Sequence, residues 1–425
     1  MANSATSLRI GFVSTRLAGT DGVSLESAKW SEVFTDRGDQ CFYFAGACDR
    51  PVDCSRVVAE AHFEHPQIRK INADLFNDKT VRLPETTEVI HELRVRLKHE
   101  LHQFIEGFGI QLLVIENALS LPMNVPLGLA LTELIAETNI PTIAHHHDFW
   151  WERERFTVNA AEDFLQSAFP PVTHNVCHVV INSYAATELA RRTGLRSSTV
   201  PNVMDFDSSP PEPSGSAETI RQAIGMNERD VFLLQPTRVV PRKCIERSIE
   251  FAHWLDMPAT LVVSHSSGDE GNEYLEYLVD FAKAMDVRLV LASNLFSYER
   301  PKSPDGAKLF SLADAYHYSD LVTYPSRVEG FGNAFLEAIY YRRPIVIAGY
   351  EIFRTDIKPK GFQVVCMDGY VTRGTIEAAR RLLHDPETAR EMADHNYNLA
   401  RRHYSYSILR KRIDMLIAYR FINVL

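Results

Sequence analysis

Short runs of aliphatic, β-branched and aromatic residues alternate with longer amphipathic stretches along almost the whole chain. In the first half these runs are LRIGFVS (8–14), CFYFAG (41–46), LLVIEN (112–117), PTIAHHH (141–147) and HVVINS (178–183), and they predict strands. Between them, SLESAKWSEVFTDRG (24–38) and TEVIHELRVRLKHELHQFIEGFG (87–109) read as helices. The stretch FDSSPPEPSGSAE (206–218) is rich in Pro and Ser, has no apolar period, and reads as a linker. The pattern then restarts with VFLLQPT (231–237), ATLVVSH (259–265), VRLVLAS (287–293), DLVTYPS (320–326), RPIVIAG (343–349) and FQVVCM (362–367). Continuous apolar strands alternating with helices predict an α/β protein with parallel sheets covered on both faces. The expected layout is a Rossmann-like domain over 1–205, a linker over 206–217, a second such domain over 218–403 and a final helix over 404–425. In doubly wound sheets ligands bind outside the carboxyl ends of the strands, so the site is expected in a cleft between the two domains.

A length of 425 residues supports this division, because it exceeds what one compact core usually holds. The net charge of −10 argues against a general nucleic-acid binder but leaves room for a local basic pocket. Six scattered cysteines, Cys41, Cys48, Cys54, Cys177, Cys244 and Cys366, contain no CxxC pair and read as free thiols in a reducing compartment. No window approaches 18 apolar residues, and MANSATSLRIGFVS lacks the basic start and apolar core of a signal peptide. A cytoplasmic location without stable membrane insertion is therefore expected.

Four stretches that follow strands carry candidate chemistry. In STRLAGTDGVSLES (14–27), Gly19 and Gly22 flank the opening of a helix, where backbone amides can approach an anion or a sugar. A glycine in any strand-to-helix turn is the bland alternative. In IPTIAHHHDFWWERERF (140–156), alternation along a strand points His145 and His147 one way and His146 the other. Three adjacent histidines thus make a poor three-ligand metal site, although His147 with Asp148 could hold an ion. His147 is expected to reach the cleft, because a D-F-W-W turn and not a helix follows it, with a buried, satisfied strand-end histidine as the alternative. In LLQPTRVVPRKCIERSIEFA (233–252), Arg238 and Lys243 lie in a loop leading into a helix and suit a diphosphate, with Arg242 as the exposed member. A solvated loop is the alternative. In YPSRVEGFGNAFLEAIYYRRPIVIA (324–348), Glu329 and Glu337 are eight residues apart, and Gly330 and Gly332 allow a tight turn before a helix from Asn333. Buried carboxylates need donors, and sugar hydroxyls supply them.

With these residues in view, the chain resembles the retaining glycosyltransferases of family four, which have the GT-B architecture. PSRVEGFGNAFLEA (325–338) is similar to the family's E-x7-E signature, Arg238 and Lys243 to its R-x4-K phosphate motif, and VPNVMD (200–205) to its PNGVD segment. The DGVS turn resembles its N-terminal glycine loop, His147-Asp148 its strand-end histidine, and the tail its C-terminal helix that crosses back onto the first domain. The departures are Asp21 before a single Gly22, Cys244 where glycine is common, and the long stretch 293–309. The resemblance implies Glu329, His147, Arg238 and Lys243 as catalytic residues. It implies a donor site of Arg238, Lys243, Ser326, Glu329, Gly330, Phe331, Gly332, Asn333, Glu337 and Asn294. The acceptor-side loop would hold Gly19, Asp21, Gly22, Val23 and Asp148. Glu337 would bind ribose hydroxyls.

The implied reaction moves a hexose from a nucleoside diphosphate sugar, UDP-glucose or GDP-mannose in type, to an acceptor hydroxyl with retention and without a metal or other cofactor. A small soluble acceptor such as a glycerate-type or compatible-solute precursor is expected, since the acidic balance disfavours anionic membrane. Alternatives left open are a nucleotide-sugar epimerase or phosphorylase on the same plan, a non-enzymatic sugar- or nucleotide-binding protein, and a metal hydrolase built on His145, His147 and Asp148. A homo-oligomer is neither required nor excluded.

Overall fold

The computed structural model describes residues 7–213, 217–266, 271–297 and 310–421. The chain divides into two compact units, Met1–Val203 with Tyr406–Leu425, and Met204–Ser405. The first holds seven strands: β1 (Arg9–Val13), β2 (Gln40–Ala45), β3 (Ser55–Val57), β4 (Leu112–Glu116), β5 (Thr142–His146), β6 (Val176–Val180) and β7 (Ser197–Thr199). The second holds β8 (Val231–Gln235), β9 (Ala259–Val263), β10 (Arg288–Leu291), the short pair β11 (Phe296–Ser297) and β12 (Phe310–Ser311), then β13 (Leu321–Tyr324), β14 (Ile345–Ala348) and β15 (Val365–Met367).

Sheet order in the first unit is β3-β2-β1-β4-β5-β6-β7, and in the second β10-β9-β8-β13-β14-β15. Every pairing is parallel. The expected α/β class with two doubly wound sheets is what the chain adopts. Strands β4, β5, β6 and β8 are buried at every position, which explains why they read as unbroken apolar runs. The edge strands β3 and β7 are three residues long and lie at least half out of the core. They carry no apolar run, so the sequence pattern does not reveal them.

The helix Pro84–Phe108 buries Ile90, Leu93, Leu97, Leu101 and Phe104, a stripe at i, i+3, i+7, i+11 and i+14, and stops at Gly109 with φ +61°. Phe206 and the residues after it belong to the second unit rather than to a free linker. Phe206 is buried, packs edge-on against Tyr340 and Tyr397, and the Tyr397 hydroxyl donates to the Ser208 carbonyl at 3.0 Å. One aromatic anchor thus overrides the polar composition around it. The helix Tyr406–Phe421 packs on the first unit, where Leu409, Ile413 and Leu416 share an apolar cluster with Trp30, Val33 and Phe34. Arg37 clamps it through Asp414 at 2.7 Å, and Arg412 donates to the Thr199 carbonyl at 2.8 Å. Among the described residues no helix is long and apolar enough to cross a membrane.

Ile413 is fully buried in that cluster. Ile413→Ala should therefore cost about 2–4 kcal/mol in urea unfolding of the first unit. A loss below about 0.5 kcal/mol would show that the terminal helix is not part of this core.

Candidate active site

In the second sheet the strand order reverses between β8 and β13, so the loops after these two strands, 236–244 and 325–332, flank the switch point. They are tied together by the Arg327 N–H, which donates to the Arg242 carbonyl at 3.0 Å. Below them Gln235, buried at the end of β8, donates to Thr237 at 2.8 Å and accepts from Ser248 at 2.8 Å and Thr323 at 2.9 Å. This satisfied network holds both strands and the start of the first loop in one geometry. Gln235 belongs to none of the sequence motifs; a glutamine ending an apolar strand is its one signal.

Lys243 and Glu329 meet in a buried ion pair between the loops, and Arg242 brings Nη1 to 3.8 Å from the second carboxylate oxygen. Burial alone would raise the Glu329 pKa, but the Lys243 ammonium, aided by Ser326 and Arg242, holds it below the usual carboxylate range. Burial and the nearby guanidiniums of Arg242 and Arg238 push the Lys243 ammonium down. The fully buried Tyr324 and Tyr350 hydroxyls stay protonated, chiefly through burial and then the Glu329 charge. The group is thus a cationic pocket centred on one ionised acid.

Exposure of the two arginines is the reverse of the sequence expectation. Arg238 is the exposed one, while Arg242 is half-buried against Glu329. Gly332 takes φ +109°, and a Cβ there would run into the Tyr350 hydroxyl, which itself donates to the Phe331 carbonyl at 2.6 Å. Only glycine fits this close approach. Phe331 is buried on Tyr404, Gly330 is exposed, and Asn333 begins the helix Asn333–Tyr340. Glu337 lies one turn on and accepts from the buried Tyr316 hydroxyl at 2.6 Å. Ser326 is buried beside Glu329. Asn294 is not brought here: it is exposed in the turn after β10, at the far edge of the sheet. Most of the long stretch 293–309 lies outside the described residues.

His265 was not anticipated. It follows β9, shares a 2.9 Å hydrogen bond with Ser264, and has its pKa lowered to about 4 by burial and then by Lys243 and Arg238. An imidazole held neutral beside two cations belongs to the same pocket.

In the first unit the helix Gly22–Asp36 is capped by its own Asp21, whose carboxylate accepts from Val23 N at 3.1 Å and Ser24 N at 3.3 Å and pairs with Arg16 at 3.1 Å. These amides therefore serve the cap, not the ligand approach expected of the glycine loop. Gly19, at φ +78°, donates its N–H to Asp49 at 2.8 Å. Strand alternation divides the histidines as expected. His146 turns to His178, with ring nitrogens 2.9 Å apart, while His145 Nδ1 and His147 Nε2 each lie 2.9 Å from Glu116 Oε2. Glu116 comes from the end of β4, so the neighbouring strand supplies a third donor group that the run of histidines lacks. Burial opposes ionisation of Glu116, yet the two imidazoles bring its pKa down to about 2. Asn117, at φ +59°, accepts from His147 N at 2.7 Å and donates to Asp148 at 3.0 Å; Arg153 Nε donates to Asp148 at 2.7 Å. His147 is thus tied into the protein on two sides rather than projecting freely.

The sequence model of the family described as glycosyl transferases group 1 matches residues 307–399. A mannosylglucosylglycerate synthase of Thermotoga maritima is 33% identical over 431 residues, covering 94% of this chain and 97% of its own. Its namesake from Petrotoga mobilis is 30% identical, covering 95% and 100%. The chain belongs to the group 1 glycosyl transferases. Solved structures share the GT-B fold of this glycosyltransferase. Sucrose-phosphate synthase from Thermosynechococcus elongatus superposes with a TM-score of 0.67 at 14% identity, covering 98% of this chain and all of that one. Anabaena HepE, solved with UDP and glucose, gives 0.64 at 13% identity over 97% of this chain and all of its own. The protein is a hexosyltransferase.

His265 gives this glycosyltransferase a pH signature. Its folded pKa lies below the ordinary value of 6.5, so the unfolded chain binds the proton first. The associated stability is present above pH 6.5 and is lost as pH falls toward 4. Urea unfolding should show His265→Asn losing about 1–3 kcal/mol less than the parent across that window. Identical profiles would place His265 in solvent.

Proposed function

We propose that this glycosyltransferase transfers a hexosyl group from a nucleoside diphosphate sugar to a hydroxyl of a small glycerate-type acceptor, with retained anomeric configuration. The observation that carries the reading is the buried Lys243–Glu329 pair at the switch point of the second sheet. Lys243 and Arg238 would neutralise the departing diphosphate by charge-assisted hydrogen bonds, with the amides at Gly332 and Asn333 adding the positive end of a helix. No metal is assigned to the diphosphate, because these groups supply the charge a metal would bring. Glu329 would hold donor hydroxyls and favour the positive charge developing at the anomeric carbon. Glu337, oriented by Tyr316, would bind the ribose hydroxyls. The bond from the anomeric carbon to the phosphate oxygen breaks as the acceptor oxygen bonds on the same face. The leaving phosphate oxygen takes the acceptor's proton, leaving a nucleoside diphosphate and a glycoside.

The names of the two synthases favour a mannosyl donor of the GDP-mannose type and a glucosylglycerate acceptor. On the first unit, His147 with Asp148 would contact the acceptor, and the Gly19–Val23 loop would do so only through groups other than its capped amides. We expect GDP-mannose with glucosylglycerate to give a product heavier by one hexose in a mass-spectrometric transfer assay. Turnover of donor with no acceptor added, or transfer only to lipid extracts, would overturn the acceptor class.

Glu329→Gln keeps the shape and removes the charge. It should lower turnover at least about a hundredfold, the scale of one preorganised electrostatic group. Unchanged turnover would take Glu329 out of the reaction. Arg238→Ala should weaken nucleoside diphosphate binding in calorimetry equally with EDTA and with added Mg²⁺. A need for Mg²⁺ in binding would contradict a diphosphate held by protein cations alone.

A further inference from the structure

We propose that Glu116, His145 and His147 bind one divalent transition-metal ion in the N-terminal unit. The inference does not rest on the donor chemistry of the second unit. The three side chains each present one ligand atom, and these atoms lie within 4.8 Å of one another, with Glu116 and His145 fully buried and His147 nearly so. Glu116 Oε2 is 2.9 Å from His145 Nδ1 and 2.9 Å from His147 Nε2. An ion about 2.1 Å from each ligand atom would space neighbouring ligands at about 3 Å when they subtend a right angle. The two Glu116–imidazole spacings fit that arrangement.

An ordinary ion pair would explain the same distances, so the hydrogen bonds decide between the readings. His145 is fully buried, yet among the described residues neither of its ring nitrogens makes a hydrogen bond, and neither does Glu116 Oε1. His145 Nδ1 is close to the Glu116 carboxylate but off the direction along which an N–H would donate. His147 Nε2 does hydrogen-bond Glu116 Oε2 at 2.9 Å, so the two unpartnered His145 nitrogens and Glu116 Oε1 are the atoms an ion would satisfy. Orphaned buried polar atoms are costly, and coordination would recover part of that cost. The Trp30 ring, 4.5 Å from the His145 ring, fixes its plane. The Asn117 side chain fixes the backbone of His147 through a 2.7 Å hydrogen bond. Those supports are what a preformed site needs. His147 keeps slight exposure, its side chain being 9% accessible, while Glu116 has none. Two imidazoles and one carboxylate suit Zn²⁺, Co²⁺, Ni²⁺ or Mn²⁺ better than Ca²⁺ or Mg²⁺. The resident ion would clamp the carboxyl ends of β4 and β5.

The test is calorimetric titration of EDTA-stripped full-length protein with Zn²⁺ and with Mg²⁺, alongside Glu116→Gln and His145→Ala. One equivalent of Zn²⁺ should bind the parent, with Mg²⁺ at least about a hundredfold weaker. Zn²⁺ affinity should fall at least about a hundredfold in either variant. X-ray absorption of the Zn²⁺-loaded parent keeps the test valid if a variant does not fold, and should show imidazole nitrogen and carboxylate oxygen around the ion. No Zn²⁺ binding, equal binding in both variants, or a shell of water or sulfur alone would overturn the site.

Discussion

The second unit is organised around a lysine and a glutamate that meet out of water. Removing two charges from solvent costs several kcal/mol for each, and mutual attraction repays this only with good geometry. Here the geometry is set below the pair, by the Gln235 network, and above it, by the stitch between Arg327 and Arg242. Such a pair is weak support for stability. Its value lies in holding a buried ammonium at the carboxyl ends of β8 and β13 with its counter-charge already in place. In the proposed reaction a diphosphate arriving there would meet cations that need little reorganisation, which is how electrostatic catalysis keeps its advantage over water.

Much of this was legible in the sequence because the signals were physical. Strands buried on both faces cannot hide, and an E-x7-E pair beside glycines stands out in an apolar helix. What stayed hidden depended on the third dimension. Glu116 reads as the end of the strand LLVIE, 29 residues before His145, and only the register of β4 on β5 brings it to the histidines. His265 reads as a strand end, and its meaning comes from cations on another loop. The exposures of Arg238 and Arg242 were reversed because a loop's fold, not its composition, decides which guanidinium turns inward.

Two departures from the family pattern also acquire reasons. Cys244, where glycine is common, sits at φ +49°, the left-handed region that glycine occupies without cost. Asp21, in place of a second glycine, caps the helix it precedes. The first unit thus uses its helix N-terminus for itself, and its polar interior is concentrated instead at Glu116 and the histidines.

The most direct measurement of the central claim is a crystal structure with the intact donor sugar nucleotide bound. The account predicts a diphosphate oxygen within about 3 Å of Lys243 Nζ and the Arg238 guanidinium, with Glu329 facing the hexose. A diphosphate bound elsewhere on the chain, with Lys243 still closed on Glu329 and no phosphate near either, would contradict it.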